Sequence, residues 1–252
     1  MQGFEDIKNG FTRILGDKNW PWKILLAGFL LINPFLLALA PSYFAGVGPD
    51  WVRPAFLGAL AFNILSFWFP LGFTYEVLRR ARTGKGKQLP DWNIHRLPRY
   101  AKEGSIKLIL AITTLILPAA LWMGLCYLVF IWLLDMPQAL LPLFLPPIML
   151  FVIPFCAVAC CRWLDGASVL NCALNYKENW RMLNAGLPDY LITSAFLVGV
   201  NAVTTSLFFT IPFAAVFGLC LVDTWFGPIF ARTAKRPVQK PKTRIPPRKR
   251  AR

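Results

Sequence analysis

Arg79 to Lys102 reads RRARTGKGKQLPDWNIHRLPRYAK, the longest polar, basic interval between two strongly apolar regions. Cytoplasmic loops of membrane proteins collect Lys and Arg, so a segment of this kind fixes the side on which neighbouring hairpins open. Upstream of it the chain reads as one membrane hairpin, and downstream as two more. The loop as a whole covers residues 76–104.

Composition supports that class. Of 252 residues, 56% are hydrophobic and only 15% charged, against about 25% charged in a soluble domain. Mean hydropathy is +0.51, and the apolar runs are long enough to cross a bilayer. The formal charge of +15 is lopsided. Residues 232–252 hold about ten Lys and Arg and no acid, a composition that cannot bury enough apolar surface to fold alone. Segment 1–20 is amphipathic. Phe4, Ile7, Phe11 and Ile14 share one helical face, which reads as an interfacial helix, with packing on the protein's own cytoplasmic face as the alternative.

The spans follow in order. The first, Trp22–Phe44, is broken at Asn33-Pro34, and the second is Pro54–Tyr75. The turn between them, from Gly46 to Trp51, has no Lys or Arg. The first apolar run is too long for a signal peptide's h-region and reads as a retained anchor. The third span, Ile106–Leu134, has a kink expected at Pro118. In the fourth, Ala139–Cys161, Pro142, Pro146, Pro147 and Pro154 predict an irregular first half. Residues 166–184 form a second interfacial amphipathic helix, with Leu170, Ala173, Leu174, Trp180 and Leu183 at helical spacing. The last apolar region, Tyr190–Ala231, is either one over-long helix or a hairpin turning near Thr210-Ile211-Pro212. Charge favours the hairpin, because a single helix would put the basic tail outside. The fold expected is therefore an all-α polytopic transmembrane bundle of six spans, with five as the competitor. Its domain of 21–231 lies between the amphipathic segment and a disordered polybasic tail, and both termini are cytoplasmic.

The order of an apolar hairpin, the run GFTYEVLRRARTGKGKQLPDW, Pro-broken spans and then PDYL resembles a family of uncharacterised prokaryotic multi-pass membrane proteins, known mainly as a domain of unknown function. The matching residues are Arg79, Arg80, Gly84, Leu89, Pro90 and Trp92, with Asp189, Tyr190 and Leu191 later. The resemblance covers residues 22–232. It implies a topology and a prokaryotic inner membrane, and it implies no activity.

Motifs for chemistry are sparse. Thr83-Gly84-Lys85-Gly86-Lys87 lacks the spacing of a phosphate loop and does not lie between a strand and a helix. Cys156, Cys160 and Cys161 have no His or carboxylate at ligand spacing, and buried cysteine behaves as a small hydrophobe. The chain has one His, so the usual general base is scarce. No catalytic residue, metal or cofactor is expected. Asp223 is the one carboxylate well inside a span, and with Asn33, Asn63 and Asn201 it forms a candidate intramembrane polar site. Hydrogen bonds to Asn201, Thr204 or Thr205 across the hairpin are its expected partners. Glu76 and Asp165 lie near span ends, where pairing with Arg79 and Arg162 is expected. Arg79, Arg80, Arg82, Lys85, Lys87, Trp92, Arg248, Lys249 and Arg250 are candidates for contact with anionic lipid headgroups or a protein partner, which are favoured over nucleic acid. The resulting function is a non-catalytic accessory or scaffold subunit docking on a larger membrane complex. The alternative is a small transporter with a midplane site between the Pro-broken spans.

Overall fold

Proline and asparagine decide where the first span breaks. In the computed structural model, which describes residues 3–84, 89–204 (201–204 by backbone only) and 210–234, α1 (Gly3–Leu15) leads into α2 (Trp20–Leu31) and α3 (Pro34–Ala45). Pro34 occupies the first turn of α3, where its missing N–H is not needed, and the Asn33 side chain caps the helix by accepting from the Phe35 N–H at 3.0 Å. The second span supplies the remaining partners. On α4 (Val52–Ser66), Asn63 Oδ1 accepts from the Asn33 N–H at 2.8 Å, Asn63 Nδ2 donates to Leu31 O at 2.9 Å, and Ser66 Oγ donates to Leu30 O at 2.9 Å. In hydrocarbon, backbone groups freed at a break must be satisfied by protein. Asn63→Leu should therefore lower stability by about 2 kcal/mol, while Asn63→Gln recovers part of the loss. Unfolding in detergent, followed by circular dichroism, would test this.

The chain continues through α5 (Trp68–Thr83) and a long rod, Ile94–Leu133, that contains α6 (Leu97–Ala111) and α7 (Leu117–Cys126). Pro118 does not end the rod. The helix widens over Ile112–Ile116, where the Leu117 N–H reaches back five residues to Ile112 O. The next carbonyl, Thr113 O, has lost its donor to Pro118 and accepts instead from the Tyr176 hydroxyl at 2.6 Å. In the fourth span, irregularity is confined to a tight helical turn, Gln138–Phe144. From there α8 (Leu145–Leu164) runs on, with Pro146 and Pro147 in its first turns and Pro154 inside it.

The short helices α9 (Val169–Leu174) and α10 (Tyr176–Asn184) lead to α11 (Leu187–Thr204) and α12 (Ile211–Ala234). The last two settle the reading of Tyr190–Ala231. The start of α11 lies beside the end of α12, with Asp189 4.0 Å from Arg232 and the Tyr190 ring against Phe226. The chain reverses, so the region is a hairpin and not one helix. Among the described residues, five stretches are long and apolar enough to cross a membrane: Trp20–Ala45, Val52–Thr83, Ile94–Leu133, Gln138–Leu164 and Ile211–Ala234. A sixth of that character arises only if α10 and α11, which meet at 92°, are taken together. Every described element is helical. Large apolar side chains such as Phe44, Leu65, Leu121 and Trp132 stand exposed along the long helices, a surface that water does not tolerate at this extent.

Two segments expected at the membrane surface pack inward instead. On α1, Ile7 and Ile14 are buried, Gly10 sits against Trp225, and Trp225 Nε1 donates to Ile7 O at 3.2 Å. Of the two placements open to this segment, Ile7 and Ile14 take the protein, while Phe4 stays exposed. Trp92 of the basic loop stacks on Phe73 at 4.8 Å and donates to Lys23 O at 3.1 Å, and Leu89 is buried beside it. The second amphipathic helix divides its apolar set. Ala173 and Leu183 are buried, whereas Leu170, Leu174 and Trp180 face outward.

Candidate functional site

Glycine brings α5 and α6 into backbone contact and so positions the most buried charges in the protein. A Cβ on Gly72 would lie 1.9 Å from Tyr100 O, and one on Gly104 would lie 2.0 Å from Trp68 O. One turn past Gly104, Lys107 points between the helices. Its Nζ donates to Asp223 Oδ2 on α12 at 2.5 Å and to Thr74 Oγ1 on α5 at 2.9 Å. The Thr74 hydroxyl donates its own proton to Leu71 O, leaving a lone pair for the ammonium. The side chains of Lys107 and Asp223 are 8% and 3% exposed. From α8, the buried Cys156 and Cys160 lie near this pair. An isolated charge at this burial is expensive, and the pair persists because each partner is satisfied by the other. Chemically it is a neutral, three-helix tie.

Nearer the polar end, a second set of charges closes on itself. Arg79 bridges Glu76 at 2.5 Å and Glu103 at 2.6 Å, and Arg99 reaches Glu103 at 2.8 Å and Glu76 at 3.2 Å. Arg80 lies 3.5 Å from Glu76. Arg82 pairs with Asp165 across to α8. Arg232 grips Asp6 with both terminal nitrogens, at 2.8 and 2.5 Å. The expected pairing of Glu76 with Arg79 is present. Asp165, expected on Arg162, goes to Arg82, and Arg162 turns instead to Asn179 at 2.5 Å and Asn171 at 2.9 Å.

A third cluster ties the start of α2 to the loop. Lys23 Nζ lies 2.7 Å from both Asp17 and Asp91 and donates to Leu89 O at 3.1 Å. Burial pushes the Asp17 carboxyl up. Lys23 and the N–H groups of Asn19 and Leu89 outweigh that and hold its pKa below the ordinary 3.8. A depressed carboxylate contributes stability that is complete above the unfolded pKa and is lost as pH falls through the folded one. Asp17→Asn should thus be less stable than the parent by about 2 kcal/mol at pH 6, and the gap should close below about pH 4. Denaturation curves of both proteins across that range provide the check.

The residues singled out from sequence do not form one site. Arg79, Arg80 and Arg82 are engaged in ion pairs within the protein, and Trp92 is half-buried against Phe73. Lys85, Lys87, Arg248, Lys249 and Arg250 lie outside the described residues, as does the side chain of Asn201. Asn33 and Asn63 meet at the break in the first span and share no partner with Asp223. Asp223 pairs with Lys107, and the side chains of Thr204 and Thr205, expected with Asn201 as its partners across the hairpin, also lie outside the described residues. Sequence reasoning missed Lys107 because it stands two residues inside the third span, where a lysine reads as a boundary marker. The available signal was a lone cation and a lone acid each set within an apolar run. Among the described residues, no group of three or more His, Cys, Asp and Glu could hold a metal ion.

These features define a class: over its described residues, an all-helical protein with five helical stretches suited to crossing a membrane, braced by buried and half-buried charge pairs. No family model, curated protein or solved structure matches the chain.

Proposed function

We propose that the chain is an integral membrane protein of a prokaryotic inner membrane, with α11 as the sixth crossing and both termini cytoplasmic. In this reading it serves as a non-catalytic accessory or scaffold subunit. The observation that carries it is the gathering of helix ends. The ends of α5 and α8 meet through Arg82 and Asp165, and the end of α12 meets the starts of α1 and α11 through Arg232, Asp6 and Asp189. α12 ends here at Ala234, and the polybasic sequence follows it in the chain. Each Lys or Arg near an anionic surface contributes about 1 kcal/mol, so the tail can hold the platform to lipid headgroups or to an acidic partner. The loop arginines act within the platform, and the tail makes the outward contact.

Purification from native membranes in mild detergent should yield a complex larger than the chain alone, and truncation after Ala234 should release the partner. Protease should remove the tail in inverted vesicles and spare it in intact cells. A monodisperse monomer, or a tail cleaved from outside, would refute the reading. The transporter alternative draws on the Lys107–Asp223 pair at the meeting of three helices and on the break at Asn33-Pro34. Solute uptake into proteoliposomes that is abolished by Asp223→Asn would favour it.

A further inference from the structure

Between α1, the last turn of α5 and the second half of α12 lies a cleft of about 880 Å³, within the size range of small-molecule sites. Its lining includes Asp6, Arg13, Arg82, Thr224 and Arg232. The charges there are unequally satisfied. Arg232 is committed to Asp6. Arg82 uses one terminal nitrogen on Asp165, and its Nε is buried with no hydrogen-bond partner. Arg13 has no hydrogen bond or ion pair among the described residues. Its position in the last turn of α1 suits the helix dipole, but that role needs no burial. Half-burial without an anion pushes the Arg13 pKa below its ordinary value. The Thr224 hydroxyl donates to Leu221 O, so the charged donors left for a ligand are the arginines, with the neutral Asn9 amide also in the lining.

We infer that this cleft binds a phosphomonoester, with the phosphate held by Arg13 and by Nε of Arg82 and the organic remainder in the rest of the volume. Guanidinium groups match phosphate oxygens in charge and geometry, and charge-assisted bonds of this kind are about twice as strong as neutral ones. The cleft is also larger than a bare inorganic ion needs. The phosphate can belong to a soluble compound or to the headgroup of a lipid such as phosphatidate. The inference rests on the docking reading only in turning this end of the protein toward the cytoplasm.

The test uses the purified full chain. One arm titrates glycerol 3-phosphate calorimetrically in detergent. The other measures retention of phosphatidate against phosphatidylcholine in nanodiscs by native mass spectrometry. Saturable binding is expected in at least one arm, weakened about tenfold by Arg13→Gln and by Arg82→Lys, which keeps a charge facing Asp165 but removes Nε. Arg53→Gln, outside the cleft, should leave binding unchanged. Because Arg13 has no partner to lose, R13Q should unfold at the parent temperature. Binding in the first arm assigns a soluble ligand, and binding in the second alone assigns a lipid. Binding in neither arm, or binding indifferent to both arginine substitutions, overturns the inference. A chain that copurifies with a partner yet binds no phosphate would sink this inference alone and leave the docking role intact.

Discussion

Lys107→Met should cost about 3–5 kcal/mol of stability, the largest loss expected from any single side chain here. The reason is what it leaves behind. Asp223, 3% exposed on α12, would keep its charge with only neutral neighbours, or would have to take up a proton to avoid it. The complementary double substitution, Lys107→Met with Asp223→Leu, removes both charges and should return to within about 1 kcal/mol of the parent, since apolar replacement of a buried pair is often neutral or better. Unfolding in detergent micelles, read by circular dichroism, would give all four corners of the cycle. A single substitution that costs less than about 1 kcal/mol would mean that the tie between α5, α6 and α12 is not made.

Adding one methyl group to the α5–α6 crossing should do comparable damage. Gly104→Ala places a Cβ 2.0 Å from Trp68 O, and Gly72→Ala places one 1.9 Å from Tyr100 O. Both obstacles are backbone, so neither can rotate away, and the two helices must separate. Overpacking of this kind costs about 3 kcal/mol. The effect should also spread, because separating α6 from α5 draws Lys107 away from Thr74 one turn on. Gly104→Ala combined with Lys107→Met should therefore cost less than the sum of the two alone. As a control, Gly124→Ala, where a Cβ meets nothing within 4 Å, should be nearly silent. Strict additivity of Gly104→Ala and Lys107→Met would show that the crossing and the ion pair are independent.

Much of the fold was legible because bilayer-scale apolarity is a local property of the chain. Runs of about 20 apolar residues, Pro at Asn33-Pro34 and the charge-poor turns marked the helices without reference to any neighbour. Even the choice of a hairpin for Tyr190–Ala231 followed from charge. The sequence also marked Asn63 as part of a candidate polar site inside the membrane, but did not show that it would repair the break at Asn33.

What charge pattern alone misjudged was the destination of individual cations. Composition treats Arg79, Arg80 and Arg82 as a basic surface. In the folded protein they meet Glu76, Glu103 and Asp165, the last of them 83 residues from Arg82 in the chain. Trp92 likewise reads as an interfacial anchor until Phe73 is placed beneath it. Amphipathic α1 presents an apolar stripe that fits lipid or protein equally well, and only the groove beside Trp225 decides between them.

By itself, then, the amino-acid order determined the apolar, helical character of the chain and the break at Asn33-Pro34, since each depends on residues close in the chain. The tertiary structure alone decided that Lys107 belongs with Asp223, 116 residues away, and that Arg13 and Arg82 face one cleft. Pairing of buried charges depends on which helices touch, and here that was set by two glycines that let backbones meet.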